Sequence, residues 1–343
     1  MGLTGLLGER RVVFFGGKGG VGKTTVSSAC ALALARAGRS VLVVSTDPAH
    51  NLGHLWGAEV GAEETLLWGG DSGSDGAGAG GGGGAEAGAG SVTGMEIDPD
   101  AVAEAHLSTV GRTVKGMMPE HLHREVDRYF ALARQSPGTQ EAALLERMSE
   151  VVLDGLERYD AVLFDTAPTG HTARLLELPQ LMSAWTEGLL SRRTKSERFS
   201  DAMRGLEGRR ADAARSSQEV RDAEIRGVLE RRRDLFVRMR ELLTDAQRTA
   251  FVMVLAAERM PVLETVELHG QLRGIGVDVA AAVVNRRSPT DAGEFLAGRS
   301  AAEEEHVAEL RRQVPGVPVV QLPLLPGEVT GGEAVGRFAE LLV

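Results

Sequence analysis

Gly16-Gly17-Lys18-Gly19-Gly20-Val21-Gly22-Lys23-Thr24-Thr25 lies directly between the apolar run Val12 to Phe15 and the helix-forming stretch Val26 to Ala37. A short apolar strand, a glycine-rich turn and a helix, in that order, satisfy the Walker A pattern from Gly17 to Thr24 in the context the pattern requires. The glycines let the backbone turn until successive N–H groups face phosphate oxygens, and the start of the helix adds its partial positive charge. Lys23 is expected to neutralise the β- and γ-phosphates and the Thr24 hydroxyl to ligate Mg²⁺, so ATP and Mg²⁺ are the expected occupants of the loop through Thr25.

Outward from this loop, further short apolar runs recur at Val41 to Ser45, Ala161 to Asp165, Phe251 to Leu255, Val279 to Asn285 and Val317 to Leu322, with helix-period stretches between them. The runs are continuous rather than alternating, as strands buried on both faces should be. They predict an α/β fold, a P-loop NTPase with a mostly parallel sheet and helices on both faces, in one domain over residues 1–343. Between Gly69 and Gly94 the composition turns to Gly, Ala, Ser and Asp, with five consecutive glycines at Gly80 to Gly84. That stretch cannot bury enough apolar area to offset its ordering entropy, and a flexible insertion is expected there. Residues 99–134 and 181–243 are helical in pattern with no strand between, which predicts a helical subdomain. In the second stretch Leu181, Met182, Trp185, Leu189 and Leu190 form one apolar stripe, and Ile225, Leu229, Phe236, Met239 and Leu243 form another.

Two carboxylates are placed to work with the loop. Asp47, in Ser45-Thr46-Asp47-Pro48-Ala49-His50-Asn51-Leu52, follows the second strand and faces the crevice where open parallel sheets bind ligand. It can accept a hydrogen bond from an attacking water and hold it in line with the γ-phosphate. Asp165 ends an apolar strand in the manner of a Walker B aspartate, which holds Mg²⁺ through water. The Thr166-Ala167-Pro168-Thr169-Gly170-His171-Thr172 segment after it suits a loop that moves when the γ-phosphate leaves.

Together GGKGGVGKTT, STDPAHNL and DTAPTGHTARLLELP resemble the ArsA/Get3 (TRC40) group of ATPases, within the SIMIBI class. The likeness continues through MEIDP at Met95 to Pro99, FVMVLAAERMPVLET at Phe251 to Thr265, VVNR at Val283 to Arg286 and PLLPGEVTG at Pro323 to Gly331. Lys18 marks the deviant Walker A of dimeric P-loop ATPases, and the resemblance implies that it reaches across a homodimer interface to the partner's nucleotide, as an arginine finger does. It implies further that Asp47 is the catalytic switch I aspartate, that Glu258 and Asn285 contact the nucleoside, and that Pro323 lines the adenine pocket. An amide at a strand end, such as Asn285, can read the adenine edge with donor and acceptor together. The activity implied is Mg²⁺-dependent ATP hydrolysis coupled to client binding, with the transmembrane segment of a tail-anchored protein as one client. Energising an arsenite or anion pump with a membrane partner, and ATP-regulated assembly with slow hydrolysis, are the alternatives.

The chain departs from that pattern in places. Ala257 stands where the family commonly has Pro before the Glu. Arg286 to Arg299 contains no Cys-x-x-Cys pair, so no zinc is expected at a dimer interface. Cys30, the single cysteine, gives no thiol cluster for arsenite and is expected to pack as a small apolar group. His121 and His123 are two apart on a helical stretch and point away from each other, as surface histidines rather than metal ligands, and His171 belongs with switch II. With 38 Lys and Arg against 48 Asp and Glu the net charge is -10, which argues against nucleic-acid binding. No run approaches the about 18–20 apolar residues that span a bilayer. A cytoplasmic protein that is not integral to a membrane is expected.

Overall fold

Apolar runs without polar alternation must be covered on both faces, and the computed structural model shows how they assemble. It describes residues 2–47, 51–69, 90–117, 120–133, 138–166, 174–182, 184, 187–188 and 212–343. In chain order the elements are α1 (Leu3–Leu7), β1 (Val12–Gly16), α2 (Lys23–Arg36), β2 (Ser40–Ser45), α3 (Asn51–Trp56), β3 (Thr65–Gly69), β4 (Ser91–Glu96), α4 (Pro99–Met117), α5 (His123–Ala133), α6 (Thr139–Arg158) and β5 (Ala161–Asp165). A helix over 174–182, here α7, comes next. Then follow α8 (Asp212–Thr244), β6 (Thr249–Ala256), α9 (Arg259–Ile275), β7 (Val279–Arg287), α10 (Glu294–Gln313), β8 (Val319–Pro323) and α11 (Gly332–Ala339).

Eight strands form one sheet in the order β3-β4-β2-β5-β1-β6-β7-β8. Every neighbouring pair is parallel except β3 with β4. The chain lays β2 to β5 on one side of β1 and β6 to β8 on the other, so the crevice at the carboxyl end of β1 is a topological switch point. β1 and β5 are buried at every residue, and Phe14 stacks on Phe164 with ring centroids 4.9 Å apart. Helix α2, which carries the phosphate loop, runs between the sheet and α11. Its small residues Ala29, Cys30, Ala31 and Ala35 are almost completely buried, and small side chains let the helix approach the strands closely. Burial pushes the Cys30 thiol up to about 12 against the pull of Arg39, so it packs as an apolar group.

The glycine-rich stretch is shorter than its composition suggests. β4 begins at Ser91, inside the range 69–94, and pairs with β2 from Ser40↔Ser91 to Ser45↔Glu96. The sheet pattern is legible in the sequence only from Met95 to Ile97, and the polar first part of β4 hides the strand's start because pairing on both sides supplies the stabilisation. On the β3 side, a Cβ added at Gly94 would sit 2.5 Å from Leu67 Cδ1. β3 itself is a half-exposed antiparallel edge strand with a continuous apolar run of only three residues, Leu66 to Trp68. Residues 70–89 lie outside the described part.

The chain divides into two units. One holds the sheet and comprises Met1–Asp98, Val151–Arg174 and Leu242–Val343. The other is helical and comprises Pro99–Glu150 and Leu175–Glu241, taking in the first part of α6 as well as the two stretches read as strandless. Within the helical unit, Glu146 of α6 accepts from Arg232 Nε of α8 at 2.8 Å and lies 3.0 Å from His106 Nδ1 of α4. Burial alone would raise the Glu146 carboxyl, but the His106 hydrogen bond and the Arg232 charge outweigh it and hold the carboxyl below its ordinary value. On α8, Phe236, Met239 and Leu243 are buried as their spacing predicts. Leu181 is 56% exposed, so the first predicted stripe does not enter a core at that position. Trp185, Leu189, Leu190 and the side chain of Ile225 lie outside the described residues.

Candidate functional site

β1 delivers the chain to Gly16 at the switch point, and the turn from Gly17 to Gly22 carries it into α2. Two glycines are required by contact. A Cβ on Gly17 would lie 1.9 Å from the Val254 carbonyl oxygen, and one on Gly22, whose φ is +92°, would lie 2.4 Å from Asn285 Nδ2. No side chain caps the start of α2, which leaves its first N–H groups to face a ligand.

The loop carbonyls are tied down from outside. Lys23 Nζ donates to the Lys18 carbonyl at 3.2 Å, Arg286 Nη1 to the Gly20 carbonyl at 3.0 Å, and Asn285 Nδ2 to the Val21 carbonyl at 2.9 Å. Lys23 is buried, and burial lowers the pKa of its ammonium against the opposing attraction of Asp165 and Asp47.

Beneath the loop, register places Asp165 beside Phe15 of β1 and Ser45 of β2. Thr24 Oγ1 donates to Asp165 Oδ2 at 2.5 Å, while Asp165 Oδ1 is buried with no hydrogen-bond partner among the described residues. Burial pushes this carboxyl up to about 7, with Asp47 and Glu96 adding to the rise and Thr24 and Lys23 opposing it. A buried acceptor without a donor, next to a hydroxyl and a lysine, suits a hard divalent cation that prefers oxygen ligands. The residues present therefore fit Mg²⁺, which Thr24 would ligate directly and Asp165 would hold through water.

Asp47 is half-buried just past β2, and its backbone N–H donates to Ser45 Oγ at 3.3 Å. Its charge acts on both Lys23 and Asp165. Lys18 and Gly19 are exposed at the tip of the loop, with Lys18 Nζ 3.1 Å from Glu264 Oε1 of α9. Asn285 is buried, and its Oδ1 accepts from the Arg286 N–H at 2.9 Å. Glu258, the residue before α9, is two positions beyond Ala256, which is in register with Asn285. Its exposed carboxylate accepts from Arg299 Nη2 at 3.2 Å. Pro323 is exposed at the end of β8, in register with Arg287. The sheet thus brings Gly17 to Thr25, Asp47 and Asp165 to one crevice and ranges Glu258, Asn285 and Pro323 along the adjoining strand ends. Pro48, His50 and His171 lie outside the described residues.

Three residues near this crevice escape a reading by motif. Glu264 and Arg286 lie within segments noted for likeness alone. Buried Glu96 accepts from the N–H groups of Leu52 and Gly53 at 3.1 and 3.3 Å, fixing the start of α3, the helix that follows Asp47 in the chain. Glu96 also lies in a segment noted for likeness, MEIDP, and its further sequence signal is an acidic residue at the end of a strand. Elsewhere, His123 Nε2 lies 3.0 Å from the Lys115 carbonyl. Among the described residues no cluster of three His, Cys, Asp or Glu could hold a metal, and no helix is long and apolar enough to cross a membrane.

The profile of the ArsA ATPase family, described as anion-transporting ATPase, matches residues 10–69 and 89–343, on both sides of the glycine-rich insertion. An Aquifex aeolicus (strain VF5) protein assigned as arsenical pump-driving ATPase 2 is 28% identical over 97% of this chain and 99% of its own length. The ATPase ASNA1 homolog 2 of Paramecium tetraurelia is 30% identical over 96% of this chain and 93% of its own. The ATPase get3 of Aspergillus niger is 30% identical over 97% and 90%. Unrelated ATPases share a phosphate loop, but these similarities run from one end of the chain to the other. On that ground the chain belongs to the ArsA family of anion-transporting ATPases, with Get3-type ATPases among its relatives, and is an ATP hydrolase.

Proposed function

We propose that the protein works as a homodimer, with ATP held between two phosphate loops and turnover coupled to binding of an apolar client. The observation that carries the nucleotide part of the proposal is the pair formed by Thr24 and Asp165, with one buried Asp165 oxygen left without a donor among the described residues. Mg²⁺, when bound there, neutralises charge on the β- and γ-phosphates. Lys23 binds the same phosphates, and Asp47 orients the attacking water and takes up its proton. Lys18 reaches the partner's nucleotide, supplying in trans a cation to the charge that develops during transfer. Asn285, Glu258 and Pro323 hold the nucleoside.

The likeness to Get3-type ATPases supports a membrane-protein client, such as the transmembrane segment of a tail-anchored protein, met in the cytoplasm. The name of the Aquifex relative favours a second reading, the energising ATPase of an arsenite pump. Thiol ligation of arsenite has little support in this chain, because Cys30 is its single cysteine and is buried with its pKa near 12. Stimulation of turnover by arsenite, lost in Cys30→Ala, would restore that reading.

The test is mass by light scattering with ATP and Mg²⁺ alongside phosphate release, for wild type and Lys18→Ala. A nucleotide-dependent dimer whose turnover collapses in the variant is expected. Wild-type hydrolysis by a monomer would overturn the trans mechanism.

A further inference from the structure

The end of β7 contains an irregularity that the phosphate loop puts to use. β7 pairs with β8 as Val283↔Val320 and Val284↔Gln321, then resumes at Arg287↔Pro323, so two residues of β7 stand against one of β8. Within that bulge Arg286 has φ +58°, the one non-glycine residue at positive φ among those described. A left-handed backbone favours Gly or Asn and penalises a long side chain. An arginine kept at such a position points to a use for its guanidinium, and bulges commonly re-aim a side chain.

Here the bulge turns that side chain onto the loop. Arg286 Nη1 holds the Gly20 carbonyl at 3.0 Å, and its neighbour Asn285 holds the Val21 carbonyl at 2.9 Å. Each carbonyl shares a rigid, trans peptide plane with the N–H of the next residue, which points the opposite way. Drawing the Gly20 and Val21 carbonyls toward β7 therefore turns the Val21 and Gly22 N–H groups away from it, toward the phosphate side. Gly19, Gly20 and Gly22 leave these planes free to flip at little cost, so an external hold decides their orientation. Neighbouring Arg287 is committed elsewhere, with Glu303 and Glu304 both at 2.8 Å. The Arg286 guanidinium pairs with no carboxylate among the described residues and adds positive charge beside the loop.

We infer that Arg286 is a positioning residue for nucleotide binding: together with Asn285 it clasps two consecutive phosphate-loop carbonyls and presets the loop to receive phosphate. The inference rests on the reading of Gly17 to Thr24 as the phosphate loop. Three variants separate the guanidinium from the backbone geometry. Arg286→Gly and Arg286→Asn relieve the left-handed penalty while removing the donor, whereas Arg286→Ala removes the donor and keeps the penalty. Calorimetric titration with MgADP, and steady-state ATP hydrolysis, supply the readouts. All three variants are expected to bind MgADP about tenfold more weakly and to raise KM for ATP by a similar factor, the scale of one hydrogen bond from a charged donor. kcat at saturation should stay within about twofold, because the hold acts on binding, and Arg286→Gly should melt no lower than wild type. Wild-type affinity in Arg286→Gly and Arg286→Asn, with loss in Arg286→Ala alone, would assign the effect to backbone conformation and overturn the clasp. A fall in kcat at unchanged KM would also overturn it. If wild type and Lys23→Ala bind MgADP equally, the phosphate-loop reading itself fails.

Discussion

Lys18 Nζ lies 3.1 Å from Glu264 Oε1 of its own chain, so the lysine proposed to act on a partner's nucleotide begins in an ion pair at home. Joining the partner's phosphates requires that pair to break. An exposed pair of this kind contributes up to about 1 kcal/mol. Two such pairs break per homodimer, so Glu264→Gln should tighten ATP-dependent self-association up to about thirtyfold, measured by light scattering across a dilution series. In a Lys18→Ala background the same substitution should have no effect. An equal effect in both backgrounds would show that Glu264 acts by charge alone.

Asp165 offers a stability test as well as a kinetic one. An amide in its place can still accept from Thr24 but carries no charge. Asp165→Asn is expected to lower Mg²⁺-dependent turnover by about two to three orders of magnitude, the scale of a lost electrostatic element in phosphoryl transfer. It should also raise the melting temperature of the nucleotide-free protein, because a charge that burial disfavours is gone. A lower melting temperature with turnover intact would contradict both parts.

Gly22 and Gly38 share φ +92°, but their surroundings differ. A Cβ added at Gly22 would meet Asn285 Nδ2 at 2.4 Å, whereas one at Gly38 would find nothing within 4 Å. Ala at Gly38 should cost about 1–2 kcal/mol through its left-handed backbone alone. Ala at Gly22 should cost more, and should weaken nucleotide binding as well by displacing Asn285. Equal losses in chemical denaturation would mean that the contact relaxes freely.

Glu303 anchors the start of the β7–α10 connection. It accepts from Ser288 N and Oγ at 2.9 and 2.7 Å, Arg299 Nε at 3.0 Å and Arg287 Nη1 at 2.8 Å. Burial would raise its carboxyl, but these donors prevail and hold it below the ordinary 4.5. A lowered folded-state value means that its contribution is present above pH 4.5 and is lost as pH falls through the folded value. Glu303→Gln should destabilise by about 1–3 kcal/mol at pH 7, with the gap to wild type shrinking below pH 4.5. A gap that does not depend on pH would assign the loss to packing.

Read alone, the chain of residues specifies the strand, loop and helix from Val12 to Ala37, the parallel sheet and the carboxylates Asp47 and Asp165. Those features depend on local order: a buried strand must be apolar throughout, and a phosphate loop needs its glycines and lysine at fixed spacing. β3 and β4 are poorly legible in that way, because one is a half-exposed edge and the other is stabilised by pairing rather than by apolar side chains. What lies beside the loop is settled by the folded chain alone. Residues 264, 285 and 286 meet residues 18, 20 and 21 across more than two hundred positions of chain. The bulge that turns Arg286 inward is set by how β7 registers on β8, a relation between strands that no single segment encodes.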